Sequence, residues 1–191
     1  MNRVERFQYA VLVMRFLIPA LIAMLFQVVA DVPITTLSFD AKEFKEAFNS
    51  SADRPRLVGV FSPTCGHCLQ ACSELQEILN EHPDAKLKVF LMWAPFMQRD
   101  TLSLARRATG YLPDQRVQHF WDLWKFSARG YEQQLEIPKG HAWDMFVFYK
   151  PHLVWRDSMP EPSFWLQNRG LDVGKPYSQE DLKAGLEEWI N

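Results

Sequence analysis

The chain has 191 residues and a formal net charge of −2, with 48% hydrophobic and 23% charged residues. This composition is sufficient for one compact domain with some additional sequence, and it excludes an intrinsically disordered chain. The nearly balanced charge, without a cluster of lysines and arginines, argues against a nucleic-acid-binding protein.

The N-terminal 30 residues predict export. The segment is basic up to Arg15, and residues 16–30 carry no charge. A membrane-spanning helix needs about 20 apolar residues, whereas a basic flank before a shorter apolar stretch is typical of a signal peptide. We predict a signal peptide over residues 1–30, with an uncleaved membrane anchor or a buried soluble helix as alternatives. Either export route places residues 31–191 in the periplasm, extracellular space or secretory lumen, where disulfides persist.

The N-terminal half of this domain alternates between predicted strands and helices. Residues 34–39 have the pattern of a strand, and Asp40 with Glu43 has the spacing of a capping box that begins a helix. The apolar runs at 57–61 and 86–93 predict two further strands, the first of them buried on both faces. Strands that alternate with helices in this way pair in parallel through right-handed crossovers.

The C-terminal half adds a different pattern. Residues 100–109 predict a helix, and residues 117–141 predict a short strand and a helix. Residues 143–155 predict two strands joined at 150–152, and Ser178 is the predicted cap of a final helix. Together, the two halves predict an α/β fold with a central mixed sheet and helices on both faces.

All three cysteines lie in one segment, SPTCGHCLQAC at residues 62–72. Cys65 falls in the first turn of a predicted helix, where unpaired N–H groups and the helix dipole stabilise a thiolate. Thr64 is the predicted cap of that helix, and His67 adds a titratable cation beside the thiolate. Cys68 lies one helical turn further, close enough for a disulfide. This spacing predicts a redox centre in which Cys65 reacts first and Cys68 resolves the mixed disulfide.

The strand–CGHC–helix unit resembles the thioredoxin superfamily, and the CGHC tetrapeptide resembles that of protein disulfide isomerases. The resemblance implies a thioredoxin-like fold over residues 31–191, with an insertion at about 94–141 before the late β-hairpin. It also implies a thiol–disulfide oxidoreductase in which Cys65 is the exposed nucleophile. No organic cofactor is expected, because the Cys65–Cys68 disulfide itself carries the electrons.

Two positions depart from the family pattern. Gly59, six residues before Cys65, stands where thioredoxins keep a buried carboxylate, and Asp144 stands where the family places a cis-proline. We expect Asp144 to be a candidate for the proton-transfer role of the missing carboxylate. A client strand is expected to dock by backbone pairing along Trp143, Asp144 and Met145.

Two other functions remain open at this stage. The thiols and His67, completed by His141 or Asp144, are candidate ligands for copper(I) or zinc. Alternatively, the departures from the family pattern are compatible with a non-catalytic interaction domain. Cys72 is predicted to be an inert core thiol, and His119 a partly buried structural residue. The expected partners are client proteins with thiols or disulfides and a redox partner, with possible membrane attachment through the N-terminus and no nucleic acid.

Overall fold

A seven-stranded mixed sheet forms the centre of the computed structural model, which describes residues 32–190. The strands are β1 (Ile34–Thr36), β2 (Arg56–Phe61), β3 (Lys88–Trp93), β4 (Val117–Trp121), β5 (Met145–Tyr149), β6 (Phe164–Gln167) and β7 (Lys175–Pro176). The helices are α1 (Lys42–Ser50), α2 (Gly66–Glu81), α3 (Leu102–Ala108), α4 (Phe126–Gln134) and α5 (Gln179–Ile190), with a 3-10 helix at Thr109–Tyr111. The predicted signal peptide or anchor lies outside the described residues. No described helix has the length and apolar character needed to cross a membrane.

The strand order is β1-β4-β3-β2-β5-β6-β7. The first four strands in this order pair in parallel, and β5 pairs antiparallel with both β2 and β6. Neighbouring residues of β5 show where the helices lie, because successive side chains of a strand point to opposite faces. Phe148 contacts Trp189 of α5, and Tyr149 contacts Phe48 of α1. The predicted mixed sheet with helices on both faces is therefore confirmed.

The segment predicted as an insertion adds a strand inside the sheet. It contains α3, β4 and α4, and β4 lies between β1 and β3. His119 of β4 pairs in register with Ile34 on one side and Leu91 on the other. This segment therefore forms part of the central sheet and does not extend it at an edge.

The predicted hairpin at residues 143–155 is wrong in its second strand. β5 ends at Tyr149, and its antiparallel partner is β6, much later in the chain. The buried guanidinium of Arg56 donates hydrogen bonds to the carbonyls of Lys150 (2.7 Å) and Leu153 (2.8 Å). These carbonyls are satisfied by a side chain, so the segment does not need a strand partner.

The first helix also begins differently from the prediction. The residue before it is Ala41, with a φ of 51°, so Asp40 lies one position before the cap, where its Oδ1 accepts a hydrogen bond from the Lys42 N–H at 3.4 Å. Ser38 takes the capping role in part, because its N–H and its hydroxyl both donate to Glu43 Oε2, at 2.9 and 2.7 Å. Glu43 therefore makes the predicted capping interaction, but its partner is Ser38, two positions before Asp40.

Candidate active site

The cysteine segment lies where β2 ends and α2 begins. Four parallel strands end at this edge of the sheet, a common location for reactive groups in α/β folds. Cys65 itself is the N-cap of α2, and its Sγ accepts a hydrogen bond from the Cys68 N–H at 3.4 Å. Cys65 is partly buried, whereas Cys68 and Cys72 are fully buried. The prediction of Thr64 as the cap is wrong by one residue, because the sulfur occupies the position that accepts the N–H.

Asp100 positions the loop that carries the cysteines. Its Oδ1 accepts hydrogen bonds from the hydroxyls of Thr64 (2.6 Å) and Ser62 (3.0 Å), and its Oδ2 accepts from the Met97 N–H at 2.7 Å. The carboxylate therefore ties the residues before Cys65 to the loop after β3. No sequence pattern indicates Asp100, because it forms no motif with the cysteines and only folding brings the two loops together.

The surroundings of Cys65 stabilise its thiolate. A hydrogen bond from the Cys68 thiol, with the backbone N–H groups of Cys68 and His67, lowers the pKa of Cys65 to about 6 despite partial burial. At neutral pH the sulfur is therefore mainly the nucleophilic anion. His67 acts on Cys65 through its backbone N–H, while its exposed side chain favours the charged form of Asp144.

The two deeper thiols are in a different state. Burial is the main cause that raises the pKa values of Cys68 and Cys72 above the ordinary range. The Cys68 sulfur lies 3.4 Å from Asp144 Oδ1, so its single proton can be shared with the Cys65 sulfur or passed to this carboxylate. Cys72 has the buried position that its apolar helix stripe predicts.

Asp144 brings a carboxylate to the cysteine pair from the residue before β5. Its side chain is only 3% exposed, and its Oδ2 lies 3.9 Å from the Cys65 sulfur. Burial raises the pKa of Asp144, so the carboxyl group holds a proton more readily than an exposed aspartate. The carboxylate therefore stands beside both thiols, where it can accept the proton of Cys68.

The predicted docking of a client strand along residues 143–145 does not fit the backbone. The Asp144 N–H donates to the Val60 carbonyl at 2.7 Å, and its carbonyl accepts from the Asn168 N–H at 2.9 Å. Met145 pairs within the sheet on both sides, with β2 and with β6. The Trp143 N–H donates to the His141 carbonyl at 2.8 Å, so the N–H groups of Trp143 and Asp144 are both paired within the protein and not open to a client strand.

The arrangement of these elements decides the fold family. A central parallel strand leads directly into a helix that begins with the CxxC pair, and an antiparallel strand places a residue opposite that pair. The next strand in the sheet, β6, is also antiparallel, and the C-terminal helix α5 packs against β5 through Phe148 and Trp189. The chain has a thioredoxin-like fold.

Comparisons with known proteins give distant structural likenesses. No family model and no curated protein matches the sequence. The chain is similar to a secreted Mycobacterium tuberculosis disulfide oxidoreductase homologous to E. coli DsbE, at 14% identity and a TM-score of 0.47, over 73% of this chain and 84% of that chain. A thioredoxin-like protein in the oxidized form has 14% identity and a TM-score of 0.49, over 72% and 78% of the two chains. A thiol:disulfide interchange protein from Bacteroides sp. has 13% identity and a TM-score of 0.45, over 75% and 77%. The topology of the described residues, and not these likenesses, carries the fold assignment.

The thioredoxin-like sheet leaves no space for a carboxylate at Gly59. A Cβ atom there would lie 2.6 Å from Leu91 Cδ2 and 2.8 Å from Phe61 Cε2, with Phe146 at 3.3 Å. These distances are shorter than van der Waals contact, and the three neighbours belong to β2, β3 and β5 of the packed core. The absence of a side chain at Gly59 is therefore a packing requirement, and Asp144 supplies the carboxylate from the position just before β5.

We expect Gly59→Ala to lower the free energy of unfolding by about 2 kcal/mol, because overpacking a core typically costs about 1–3 kcal/mol. Urea unfolding followed by tryptophan fluorescence measures this difference. Gly110→Ala is the matched control, since a Cβ atom at Gly110 meets no atom within 4 Å. Equal unfolding midpoints for the two variants would show that the core accommodates a methyl group at Gly59.

The same residues offer potential metal ligands in the thioredoxin-like domain. Cys65, Cys68 and Asp144 each present one ligand atom, all within 4.8 Å of one another, and they form the single such group of three that the structure describes in residues 32–190. Two thiolates and a carboxylate are compatible with zinc. Neither His67 nor His141, the histidines considered from the sequence, belongs to this group.

His119 has the structural role predicted for it. Its Nδ1 accepts a hydrogen bond from the Trp93 indole at 3.1 Å, and its Nε2 lies 3.1 Å from the Leu112 carbonyl. Because Nδ1 accepts, the proton of the neutral ring is on Nε2, which donates to that carbonyl. Burial lowers the pKa of His119 to about 4, so the ring is neutral at physiological pH.

Proposed function

We propose that the protein is an exported thiol–disulfide oxidoreductase that exchanges the Cys65–Cys68 dithiol or disulfide with cysteines of client proteins. One observation carries the proposal. A stabilised, partly exposed thiolate at Cys65 stands one turn from a buried thiol at Cys68 that contacts the Asp144 carboxylate. The asymmetry between the two sulfurs is what a sequential exchange requires, because one must react with the client and the other must wait.

The reaction follows from this asymmetry. In the direction of client reduction, the Cys65 thiolate attacks a client disulfide, forms a mixed disulfide and releases the first client sulfur as a thiolate, which takes a proton from water. Cys68 then transfers its proton to Asp144, and its sulfur attacks Cys65. The Cys65–Cys68 disulfide forms and the second client thiolate leaves, so two electrons pass to the client. Client oxidation is the reverse sequence.

A second thiol–disulfide couple, the redox partner, must return the cysteine pair to its starting state. The stabilised thiolate favours the reduced form of the pair, which makes its disulfide more oxidising. This supports a role as an oxidant or isomerase of client proteins more than a role as a reductant.

Export is the part of the proposal that depends on residues 1–30. Three arginines followed by an uncharged apolar stretch support translocation, either with cleavage or with retention as a membrane anchor. In an exported compartment the cysteine pair can cycle between its two states, because no cytosolic thiol pool keeps it reduced.

The reduction potential of the Cys65–Cys68 pair tests the activity. We expect a value above about −270 mV, in the range of disulfide isomerases and thiol oxidases, whereas structural disulfides lie below about −300 mV. The measurement uses equilibration with glutathione buffers, and Cys72→Ala should have the same potential because Cys72 is buried away from exchange. A potential below about −300 mV would indicate a structural disulfide and contradict the proposal.

Binding of a soft metal is the second candidate function, favoured by the grouping of Cys65, Cys68 and Asp144 within 4.8 Å. The metal content of the full-length protein after purification separates the two functions. Stoichiometric zinc or copper that resists removal by a chelator would favour the metal-binding function.

A further inference from the structure

A cleft of about 580 Å³ begins beside the proposed nucleophile. Its lining residues are Thr64, Met97, Gln98, Arg99 and Leu104. Thr64 is the covalent neighbour of Cys65, and its hydroxyl lies 3.8 Å from the Met97 sulfur. One residue of extended chain spans about 3.5 Å, so a client bound to Cys65 would reach this cleft within a few residues of its own cysteine.

The wall of the cleft is held in place before any client arrives. Both carboxylate oxygens of Asp100 accept hydrogen bonds, from Ser62 and Thr64 on one side and from the Met97 N–H on the other. The two loops that form the entrance are therefore cross-linked by two hydrogen bonds, and the third, from the Met97 N–H, fixes Asp100 within its own loop. A preformed site loses less conformational entropy when it binds a ligand.

The cleft also has an apolar component. Met97 is 44% exposed, although it is a large hydrophobic residue, and Leu104 is partly buried beside it. A flexible thioether adapts to side chains of different shapes, which suits a surface that accepts more than one client. An apolar client side chain would bury against this pair.

The one charged residue in the lining of the cleft is an arginine, although the whole chain has a net charge of −2. Arg99 lines the cleft, and Arg106 and Arg107 lie on α3, which also carries Leu104. None of these three arginines forms an ion pair with another residue in the described range of 32–190. Residues 97–112 therefore contain three arginines and one acidic residue, Asp100, whose carboxylate is turned toward the loop of Ser62 and Thr64.

We infer that this cleft binds the client polypeptide beside its reactive cysteine and selects segments that combine an apolar side chain with acidic residues. The inference rests on the proposed function, because it assigns the substrate class of the same cysteine pair. Apolar contact with Met97 and Leu104 holds the segment, and charge complementarity with Arg99 selects it.

The test uses the Cys68→Ala variant carrying thionitrobenzoate as a mixed disulfide on Cys65. Synthetic peptides with one cysteine, in Leu-Cys-Asp-Asp or Leu-Cys-Lys-Lys contexts, release the yellow thiolate as they form the mixed disulfide. Each rate is divided by the rate of the same peptide with the uncharged disulfide 2,2′-dithiodipyridine, which removes differences in peptide thiol reactivity without adding a charge effect. We expect the acidic peptide to react about fivefold faster at low salt, with the preference declining as salt screens the charges.

Two pairs of variants locate the effect. Arg99→Ala should remove most of the preference for the acidic peptide, whereas Arg54→Ala should keep it. Arg54 precedes β2, whereas the cleft lies beyond the other end of this strand, about 20 Å away. Met97→Ala should reduce the preference for leucine over serine beside the cysteine, whereas Tyr111→Ala, an exposed residue outside the cleft, should not.

Two outcomes overturn the inference in different ways. Equal corrected rates for both peptides, with normal loading of Cys65, would show that the cleft does not select clients. The proposed oxidoreductase function would then still stand. Failure of Cys65 to form the thionitrobenzoate adduct would remove the function itself and the docking surface with it.

Discussion

Replacing Cys68 with alanine should convert the protein into a trap that accumulates mixed disulfides with client proteins. Cys65 keeps its position at the start of α2 and still attacks a client disulfide, but no second thiol is available to release the client. Neighbouring groups attack far faster than groups in solution, so the lifetime of the adduct should increase by about 100-fold or more. Non-reducing electrophoresis of the protein from its native compartment, followed by mass spectrometry of the adducts, measures this accumulation.

Two further cysteine variants make the result specific. Cys65→Ser should form no adducts, because the hydroxyl is not a nucleophile at neutral pH. Cys72→Ala should behave as the unmodified protein, since Cys72 is fully buried in the core. If Cys68→Ala forms no client adducts although Cys65 reacts with small thiol reagents, the oxidoreductase proposal fails and a non-catalytic interaction domain becomes the better explanation.

Replacing Asp144 with asparagine should slow the release of clients by about 100-fold at neutral pH, which is typical of losing a general base. Burial raises the pKa of Cys68, so this thiol needs an acceptor for its proton before its sulfur can attack. The Asp144 carboxylate lies 3.4 Å from that sulfur, whereas the amide of asparagine cannot accept the proton. Stopped-flow measurement of the single-turnover reduction of a disulfide peptide gives the rate of this step.

The pH dependence distinguishes proton transfer from a general loss of structure. Alkylation of Cys65 by iodoacetamide should be half-maximal at about pH 6, with the thiolate lost as the pH falls below that value. The Asp144 charge raises the pKa of Cys65, so Asp144→Asn should move this midpoint to lower pH and leave Cys65 at least as reactive at neutral pH. If Asp144 accepts the proton, the Asp144→Asn variant should release the client slowly while Cys65 is alkylated as fast as in the unmodified protein. A variant that releases clients at the normal rate would show that Asp144 is not the acceptor.

The closeness of Cys65 and Cys68 could be predicted from the sequence because it depends on local geometry. Cys65, Cys68 and Cys72 lie within eight residues, and the helix that carries them follows a short buried strand. A helix places residues three and four apart on one face, so the spacing predicts that Cys68 and Cys72 share the buried face, while Cys65 at the helix start is more exposed. The mixed sheet was predictable for the same reason, since strands and helices alternate with clear periodicities.

The partners of that pair were decided by the tertiary structure. Asp144 lies 76 residues from Cys68 in the chain, and Asp100 lies 36 residues from Thr64. The family pattern suggested a role for Asp144 but not its contact with Cys68, and nothing in the sequence indicated Asp100. The second strand of the hairpin was also mispredicted, because Arg56 satisfies the carbonyls that would otherwise require a strand partner.

The sequence by itself determined that the cysteines lie at the start of a helix after a buried strand, because helix and strand periodicities act over a few residues. The tertiary structure decided which carboxylates meet the cysteines, why Gly59 has no side chain, and that β4 lies inside the sheet. These features depend on the order in which distant strands pair, and that order results from packing across the whole core and not from any local pattern.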